Sequence, residues 1–204
     1  MLLTTLVLAP FVGSLLAALM PQDARNRESW LAIGVTVCGL LIGGLLFPQV
    51  ASGAVVRTEF AWLPAMGLNF ALRVDGLAWI FSMLVLAIGL LVVLYARYYM
   101  SAEDPVPRFF SFLLAFMGSM LGVVLSGNLV QLVVFWELTS LTSFLLIGYW
   151  HHRADARRGA RMAFTVTATG GLCLLVGVLL VGHIVGSYDL DAVLAAGDTI
   201  RAHA

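Results

Sequence analysis

The sequence predicts an all-α polytopic membrane protein, and three features of its composition and pattern lead to that class. Of the 204 residues, 61% are hydrophobic and only 11% are charged, whereas soluble domains carry about 25% charged residues. The mean hydropathy is +1.01. Apolar runs of about 20 residues, the length at which a helix crosses the hydrocarbon core, recur along the chain. The formal net charge is zero, so the composition offers no basis for nucleic-acid binding.

Six membrane spans account for most of the chain. They are predicted at residues 2–20, 30–47, 74–96, 109–126, 129–149 and 162–183, within a six-helix membrane domain of residues 1–190 that precedes a short outer tail, 191–204. Pro21 and Pro48 close the first two runs, and 126–128 (SGN) makes a tight turn between the fourth and fifth. No arginine precedes Arg25. Residues 1–20 therefore lack the basic segment of a cleaved signal peptide and are expected to remain as a helix.

The distribution of arginine predicts which side of the membrane each end faces. All eleven basic residues are arginine. With the N-terminus outside, eight of them fall in inner loops and three in outer segments, as the positive-inside rule requires. The densest cluster, between the fifth and sixth spans, is expected to anchor this topology. The alternative role for His151 and His152 in that loop is proton entry. For His183, at the other end of the sixth span, the alternative role is proton exit.

The connection between the second and third spans is predicted to fold as a short outer β-hairpin. β-branched and aromatic residues in VVRTEFAWL (55–63) and LNFALRVD (68–75) flank a Pro-containing turn, PAMG (64–67). Asp75 directly precedes the third span and is expected to cap the N-terminus of that helix. Aromatic residues at the span ends, Tyr149 among them, are expected to be interfacial anchors.

Glu137 is the residue that a purely apolar membrane span does not explain. From Phe109 to Trp150 it is the only Asp, Glu, Lys or Arg, and it lies near the middle of the fifth span. A charged side chain at that depth costs on the order of 3 kcal/mol or more. Glu137 is therefore expected to be protonated, or to be ionised beside a cation or a water-filled cavity.

Hydroxyl-bearing residues follow Glu137 along the same span. Ser140 lies one turn away on the same face, and Thr142 and Ser143 come shortly after. Such hydroxyls are common where membrane helices pack together, which would explain them but not the glutamate. Intramembrane carboxylates generally mark ion or proton routes. We therefore expect Glu137 to relay protons and the three hydroxyls to line its pathway.

The fifth span also carries a family signature. FWELTSLTSFLLIGYW (135–150) closely resembles the fifth helix of the antiporter-like family. That family comprises the A and D subunits of the multisubunit (Mrp-type) cation/proton antiporters and the large proton-pumping membrane subunits of respiratory complex I. LNFALRVDGLAWIFSMLV (68–85) and LYARYY (94–99) resemble its hairpin exit and third helix. The resemblance implies that Glu137 is the proton-handling glutamate of this family.

The sixth span separates the two branches of the family. MAFTVTATGGLCLLVGVLLV (162–181) contains Gly170-Gly171 and lacks the Asn-Arg-x-Gly-Asp-like element typical of complex I subunits. This resembles the A subunit of the antiporters. Family members are much longer and pair the glutamate with a lysine on the seventh helix, whereas this chain has no lysine. The resemblance is therefore to an N-terminal portion, either a fragment or one half of a split subunit.

The resemblance implies the function, the surroundings and the partners. The chain is expected to be a subunit of a monovalent cation (sodium)/proton antiporter rather than an enzyme, with no cofactor or metal. It is expected to be multi-pass in the bacterial cell (inner) membrane with its N-terminus outside. The expected partners are the other antiporter subunits, the missing later helices, protons, monovalent cations and lipid, but not nucleic acid. The alternatives are a proton-pumping membrane subunit of an NADH-quinone oxidoreductase and a non-transporting assembly scaffold.

Overall fold

The computed structural model describes residues 1–21, 25–63, 68–101 and 104–203, most of them helical. The helices are α1 (Leu2–Ala18), α2 (Arg25–Ala51), α3 (Gly76–Tyr99), α4 (Val106–Leu125), α5 (Leu129–Ile147), α6 (Ala154–Val185), α7 (Leu190–Ala195) and α8 (Gly197–Ala202), and the strands are β1 (Val56–Leu63) and β2 (Leu68–Val74). Within the described ranges, the five helices α2 to α6 are long and apolar enough to cross a membrane, and α1 is a shorter apolar helix of 17 residues. The predicted class, an all-α polytopic membrane protein, is therefore confirmed.

Short connections make consecutive long helices antiparallel, so the bundle has two ends. The hairpin end carries β1 and β2, which contact α1, α3, α4 and α5. The arginine end carries the connections before α2, α4 and α6. There Arg97 stacks over the Trp30 ring at 4.7 Å, and the Trp150 indole N–H donates to Asp104 at 3.5 Å. Of the long helices α4 is the most buried and α6 the least, so α4 forms the centre and α6 an outer edge.

The hairpin predicted from the sequence is present. β1 and β2 pair antiparallel, with Val56 opposite Val74 and a register irregularity between Phe60 and Leu63. The predicted PAMG turn lies outside the described residues. The predicted cap is also confirmed, because the Asp75 carboxylate accepts a hydrogen bond from the Ala78 backbone N–H at 2.9 Å.

The predicted tight turn at 126–128 is confirmed and holds the hairpin against the bundle. It joins the end of α4 to the start of α5, and Gly127 N–H donates to the Ala71 carbonyl at 2.8 Å. From the first turn of α5, the Gln131 amide accepts from Ala71 N–H at 2.9 Å and donates to Ala71 C=O at 3.0 Å. The buried amide thereby continues the β2 ladder, and it fixes the depth at which α5 begins.

Two helices, α2 and α6, extend well beyond the spans predicted for them. Pro48 does not end the second span, because α2 continues through it to Ala51. A proline removes the hydrogen bond to the carbonyl four residues earlier, here that of Gly44. The Trp79 indole N–H donates to the neighbouring Gly43 carbonyl at 2.7 Å. The sixth helix begins at Ala154 rather than 162. Its charged first turns are good helix formers, but their charge excluded them from a span defined by hydropathy.

The segment predicted as a tail is helical and is tied to the hairpin. Arg57 and Arg73 lie directly opposite each other across the two strands, and like charges in that position destabilise a sheet. Asp191 of α7 binds both, with 2.8 Å to Arg57 Nη1 and 2.7 Å to Arg73 Nε. Asp189, the N-cap of α7, pairs with Arg57 as well. Glu59 and Asp75 also form ion pairs with Arg57 and Arg73, respectively. We call Asp189 and Asp191 the acidic latch, because they bind the arginine pair from α7 and hold that helix on the hairpin.

Candidate functional site

Glu137 lies at the interface between α5 and α6. It is the ninth of the 19 residues of α5, so the carboxylate is about equally far from both ends of the helix. Its Oε1 atom is buried and has no hydrogen-bond partner, and no ion pair links Glu137 to any described residue. A buried polar atom without a partner is uncommon in folded proteins and usually indicates a functional role or an unseen partner.

Gly171 of α6 provides the space for this carboxylate. A Cβ atom at position 171 would overlap Glu137 Oε1 and would lie 3.3 Å from Cδ1 of Trp136. At the adjacent Gly170, a Cβ atom would meet nothing within 4 Å. The absence of a side chain at 171 therefore allows α6 to pack closely against Glu137, whereas position 170 imposes no such requirement.

The three hydroxyls predicted to line the pathway lie on α5 but do not bind Glu137. Ser140 Oγ donates to the Trp136 carbonyl at 3.3 Å, and Thr142 Oγ1 donates to the Leu138 carbonyl at 2.7 Å. Both side chains are buried, and Ser143 is half-buried. Hydrogen bonds from Ser and Thr to the carbonyl one turn back are a common way for a helix to satisfy them internally. The carboxylate thus faces the glycine of α6 rather than the hydroxyls of its own helix.

The predicted histidines lie at the two ends of the bundle. His151 and His152 are exposed at the arginine end, where the Arg157 guanidinium donates to the His151 carbonyl at 2.8 Å. His183 is exposed near the end of α6 at the hairpin end. His151 is fourteen positions from Glu137, or about 21 Å at 1.5 Å per residue. The structure therefore brings none of these histidines to Glu137.

A second acidic residue, Glu28 in the first turn of α2, was missed. It is 0% exposed, and neither carboxylate oxygen has a hydrogen-bond partner. The predicted span began at Trp30, which left Glu28 in a polar loop just after Arg25 and Arg27. A sequence signal did exist, since Glu28, Ala32 and Thr36 follow the spacing of one helix face, and all three are fully buried.

Tyr149 also differs from its prediction. It is only 6% exposed and belongs to the core, and its hydroxyl is buried without a hydrogen-bond partner. The interpretation as an interfacial anchor is therefore wrong. The ring packs against Phe109, near the start of α4, at a centroid distance of 5.6 Å.

Comparison with protein families defines the class to which this bundle belongs. A model of the N-terminus of chain 5 of NADH-ubiquinone oxidoreductase (complex I) matches residues 62–110. A model of the membrane region of NADH:quinone oxidoreductase and Mrp antiporters matches residues 126–202. Together they cover more than half of the chain. The chain belongs to the antiporter-like family, as its fifth-helix signature indicated.

Within that family, the chain is similar to the N-terminal portion of the A subunit of the Mrp-type antiporters. It is 62% identical over 202 residues to a Rhizobium meliloti protein named as the probable A/B subunit of a K(+)/H(+) antiporter. It is 37% identical over 195 residues to the A subunit of the Na(+)/H(+) antiporter of Alkalihalophilus pseudofirmus. These alignments cover 99% and 95% of this chain but 20% and 24% of the relatives. The chain thus spans about a fifth to a quarter of their length.

Solved structures agree with this assignment. The Mrp complex from Dietzia sp. contains a chain that matches with a TM-score of 0.79 and 30% identity, over 95% of this chain and 21% of that one. A chain of the archaeal membrane-bound sulfane sulfur reductase matches with a TM-score of 0.77 and 22% identity, over 94% and 29%. The second likeness shows a shared fold only.

Proposed function

We propose that this chain is part of a monovalent cation/proton antiporter subunit in which Glu137 relays protons. The observation that carries the proposal is the position of its carboxylate at mid-helix, with one oxygen buried and unpartnered against Gly171. Carboxylates in the middle of membrane spans generally mark ion or proton routes. The names of the antiporter relatives support exchange as the process that the relay serves.

The relay needs a positive charge that the described helices do not provide. No described arginine or histidine forms an ion pair with Glu137, and the chain contains no lysine. The family resemblance implies a lysine on a later helix. When that cation approaches, Glu137 releases its proton, because an opposite charge stabilises the carboxylate. When it withdraws, Glu137 takes up a proton again.

We further propose how the remaining predicted groups take part. All six of α1 to α6 cross the bacterial cell membrane, with the N-terminus and the hairpin end outside. Ser140, Thr142 and Ser143 contact the water that reaches Glu137 when the pathway is hydrated. His151 and His152 serve proton entry or exit at the arginine end. His183 does so at the hairpin end. Other antiporter subunits cover the exposed edge formed by α6.

The decisive experiment replaces Glu137 in the complete antiporter. Glu137→Gln keeps the shape and removes the titration, so we expect exchange to fall by about 100-fold or more, the lower range for loss of a positioned proton-transfer group. Glu137→Asp, with a carboxylate one methylene shorter, should keep partial activity.

Asp198→Asn is the control, because that side chain is fully exposed on α8. Proton flux driven by sodium and by potassium is measured in vesicles, since the two relatives are named for different cations. Wild-type exchange by a normally assembled Glu137→Gln antiporter would reject the relay.

A redox-driven proton pump is the alternative, because the matching family models also describe complex I subunits. The same vesicles decide between the two functions. An antiporter exchanges ions under an imposed proton gradient without any electron donor. A pump moves protons only while NADH is oxidised and quinone is reduced. Flux in neither condition would leave the assembly scaffold as the explanation.

A further inference from the structure

Glu28 is a fully buried carboxylate that the proposed relay does not use. It is 0% exposed, and neither carboxylate oxygen has a hydrogen-bond partner in the part of the chain that the structure describes. Acidic residues in the first turn of a helix are normally stabilised by the helix dipole and by free backbone N–H groups, but no N–H group of the described residues donates to Glu28. An ordinary capping role therefore does not account for it.

Among the described residues, the elements packed around the start of α2 bring no counter-charge into contact with Glu28. α1 has no Asp, Glu, Lys, Arg or His. On α3, Arg97 lies over the Trp30 ring, and on α2 itself Arg27 is exposed. The start of α4 contributes Asp104 and Arg108. None of these described groups forms a hydrogen bond or an ion pair with Glu28. Under these conditions the neutral, protonated carboxyl is the stable form.

Tyr149 is a second buried polar group at the same end of the bundle. Its hydroxyl is unpartnered as well. Burial raises the pKa of the Tyr149 phenol, and the negative charge of Asp104 raises it further against the opposing effect of Arg108. The Tyr149 hydroxyl therefore keeps its proton and remains a hydrogen-bond donor at this end of the bundle.

We propose that Glu28 is a second proton-binding site, located at the arginine end of the bundle. With the site dry, Glu28 holds its proton. When water enters from the arginine end, the Glu28 carboxylic acid gives the proton to a water molecule and becomes a carboxylate, to which Tyr149 donates a water-mediated hydrogen bond. The reverse transfer reloads the site. A bound metal ion fits less well, because the described residues contain no group of three or more metal-binding side chains.

The binding of a proton by Glu28 stands on its own, but its part in transport rests on the proposed function. Infrared difference spectroscopy of the complete antiporter separates the two, because a protonated carboxyl has a C=O stretching band that an ionised carboxylate and a glutamine lack. We expect such a band at neutral pH in the wild type and its loss in Glu28→Gln. Glu59→Gln, the same change at an exposed position, should leave the band in place.

The transport arm uses the same variants. In Glu28→Gln, the exchange rate should depend less on the pH of the solution at the arginine end. Its dependence on the pH of the solution at the hairpin end should be unchanged. An unaltered band in an assembled Glu28→Gln antiporter would overturn the proposal. If the Glu28 band is present and titrates while Glu137→Gln retains full exchange, the proposed function fails and the proton site survives.

A second variant keeps the proposal testable if Glu28→Gln does not assemble. Tyr149→Phe removes the hydrogen-bond donor to the ionised carboxylate and leaves the ring. The charged form of Glu28 then loses stabilisation, so the pH at which its band disappears should rise relative to the wild type. An unchanged titration of that band would overturn the pairing of Glu28 with Tyr149.

Discussion

Gly171 shows how strongly a buried carboxylate depends on a neighbour that has no side chain. Glycine in a helix interior costs about 1 kcal/mol relative to alanine, so a glycine retained at a packed position has a compensating reason. For Gly171 the reason is the carboxylate of Glu137, which occupies the space of the missing Cβ. For Gly170 no such reason exists among the described residues.

The contrast between the two glycines gives a matched prediction. Gly171→Ala should displace the Glu137 carboxylate and lower cation/proton exchange by about tenfold or more, on the scale at which small misplacements of reacting groups cost up to about 100-fold. Gly170→Ala should leave exchange unchanged and stabilise the helix slightly. Both variants are compared in the same vesicle assay, with the apparent melting temperature as a measure of folding. Equal activity of the two would contradict the positioning role.

At this scale the sequence predicted the unusual residue but not its surroundings. Glu137 was recognisable because it is the only charge in a long apolar run. Its contact with Gly171 depends on how α5 and α6 pack, which a pattern along one helix does not contain. Glu28 was hidden for a different reason. Arg25 and Arg27 precede it closely, so the local composition indicated a polar loop although the residue is buried.

At the scale of elements, the hairpin is held by charges that come from a distant part of the chain. Asp191 binds two arginines that face each other across β1 and β2. We expect Asp191→Asn to destabilise the protein by about 1–2 kcal/mol, because hydrogen bonds to charged groups contribute about 1.5–3 kcal/mol and less when half-exposed. That corresponds to a fall of about 2–8 °C in the melting temperature.

The control for this prediction is Asp198→Asn. Asp198 pairs with Arg201 on α8, but both side chains are almost fully exposed, at 100% and 83%. Exposed pairs contribute little, so the melting temperature should not change. A similar shift in both variants would mean that the acidic latch contributes no more than any surface charge.

The acidic latch should also respond to acid in a defined direction. The Arg57 hydrogen bond is the main reason why the pKa of Asp189 lies below the ordinary value of 3.8. The Ala78 N–H, and then Arg73, lower the pKa of Asp75. Carboxylates with lowered pKa values stabilise the fold fully above 3.8, and this contribution is lost as the pH falls through the lowered values. Hydrogen exchange in β1 and β2, corrected for its intrinsic dependence on pH, should therefore show equal protection at pH 7 and 5 and weaker protection at pH 3. Protection that already falls at pH 5 would contradict this assignment.

An element could be predicted when the residues that form its interactions lie close together in the sequence. The hairpin and the Asp75 cap depend on neighbouring residues, and both were predicted. The continuation of α2 through Pro48 was not predicted, because a proline by itself indicates the end of a helix. The acidic latch joins positions more than a hundred residues apart. Hydropathy also truncated α6, because charged residues of good helix propensity extend that helix beyond the apolar run.

For the whole molecule, the arrangement of arginines predicts the orientation. Single cysteines at Ser52, near the hairpin end, and at Ala154, at the arginine end, are suitable because both positions are exposed. Ser52 is preferable to Gly53, whose positive φ of 81° would strain a side chain. The native Cys38 and Cys173 are free and exposed, so both are first replaced by serine. We expect an impermeant maleimide to label position 52 in intact cells and position 154 only in inverted vesicles. The opposite pattern would reverse the direction of the proton path.

The acidic latch also has a consequence for the order in which the protein is made. Arg57 and its partner Asp189 are separated by 132 residues, and Arg73 and Asp191 by 118. At about 5–20 residues per second, the ribosome needs on the order of 10 seconds to supply the aspartates after the arginines have been synthesised. During that interval two guanidinium groups face each other with no acidic latch in place. The acidic latch therefore forms only after the sixth helix has been translated, and β1 and β2 of a nascent chain stalled before Asp189 should be more open to protease.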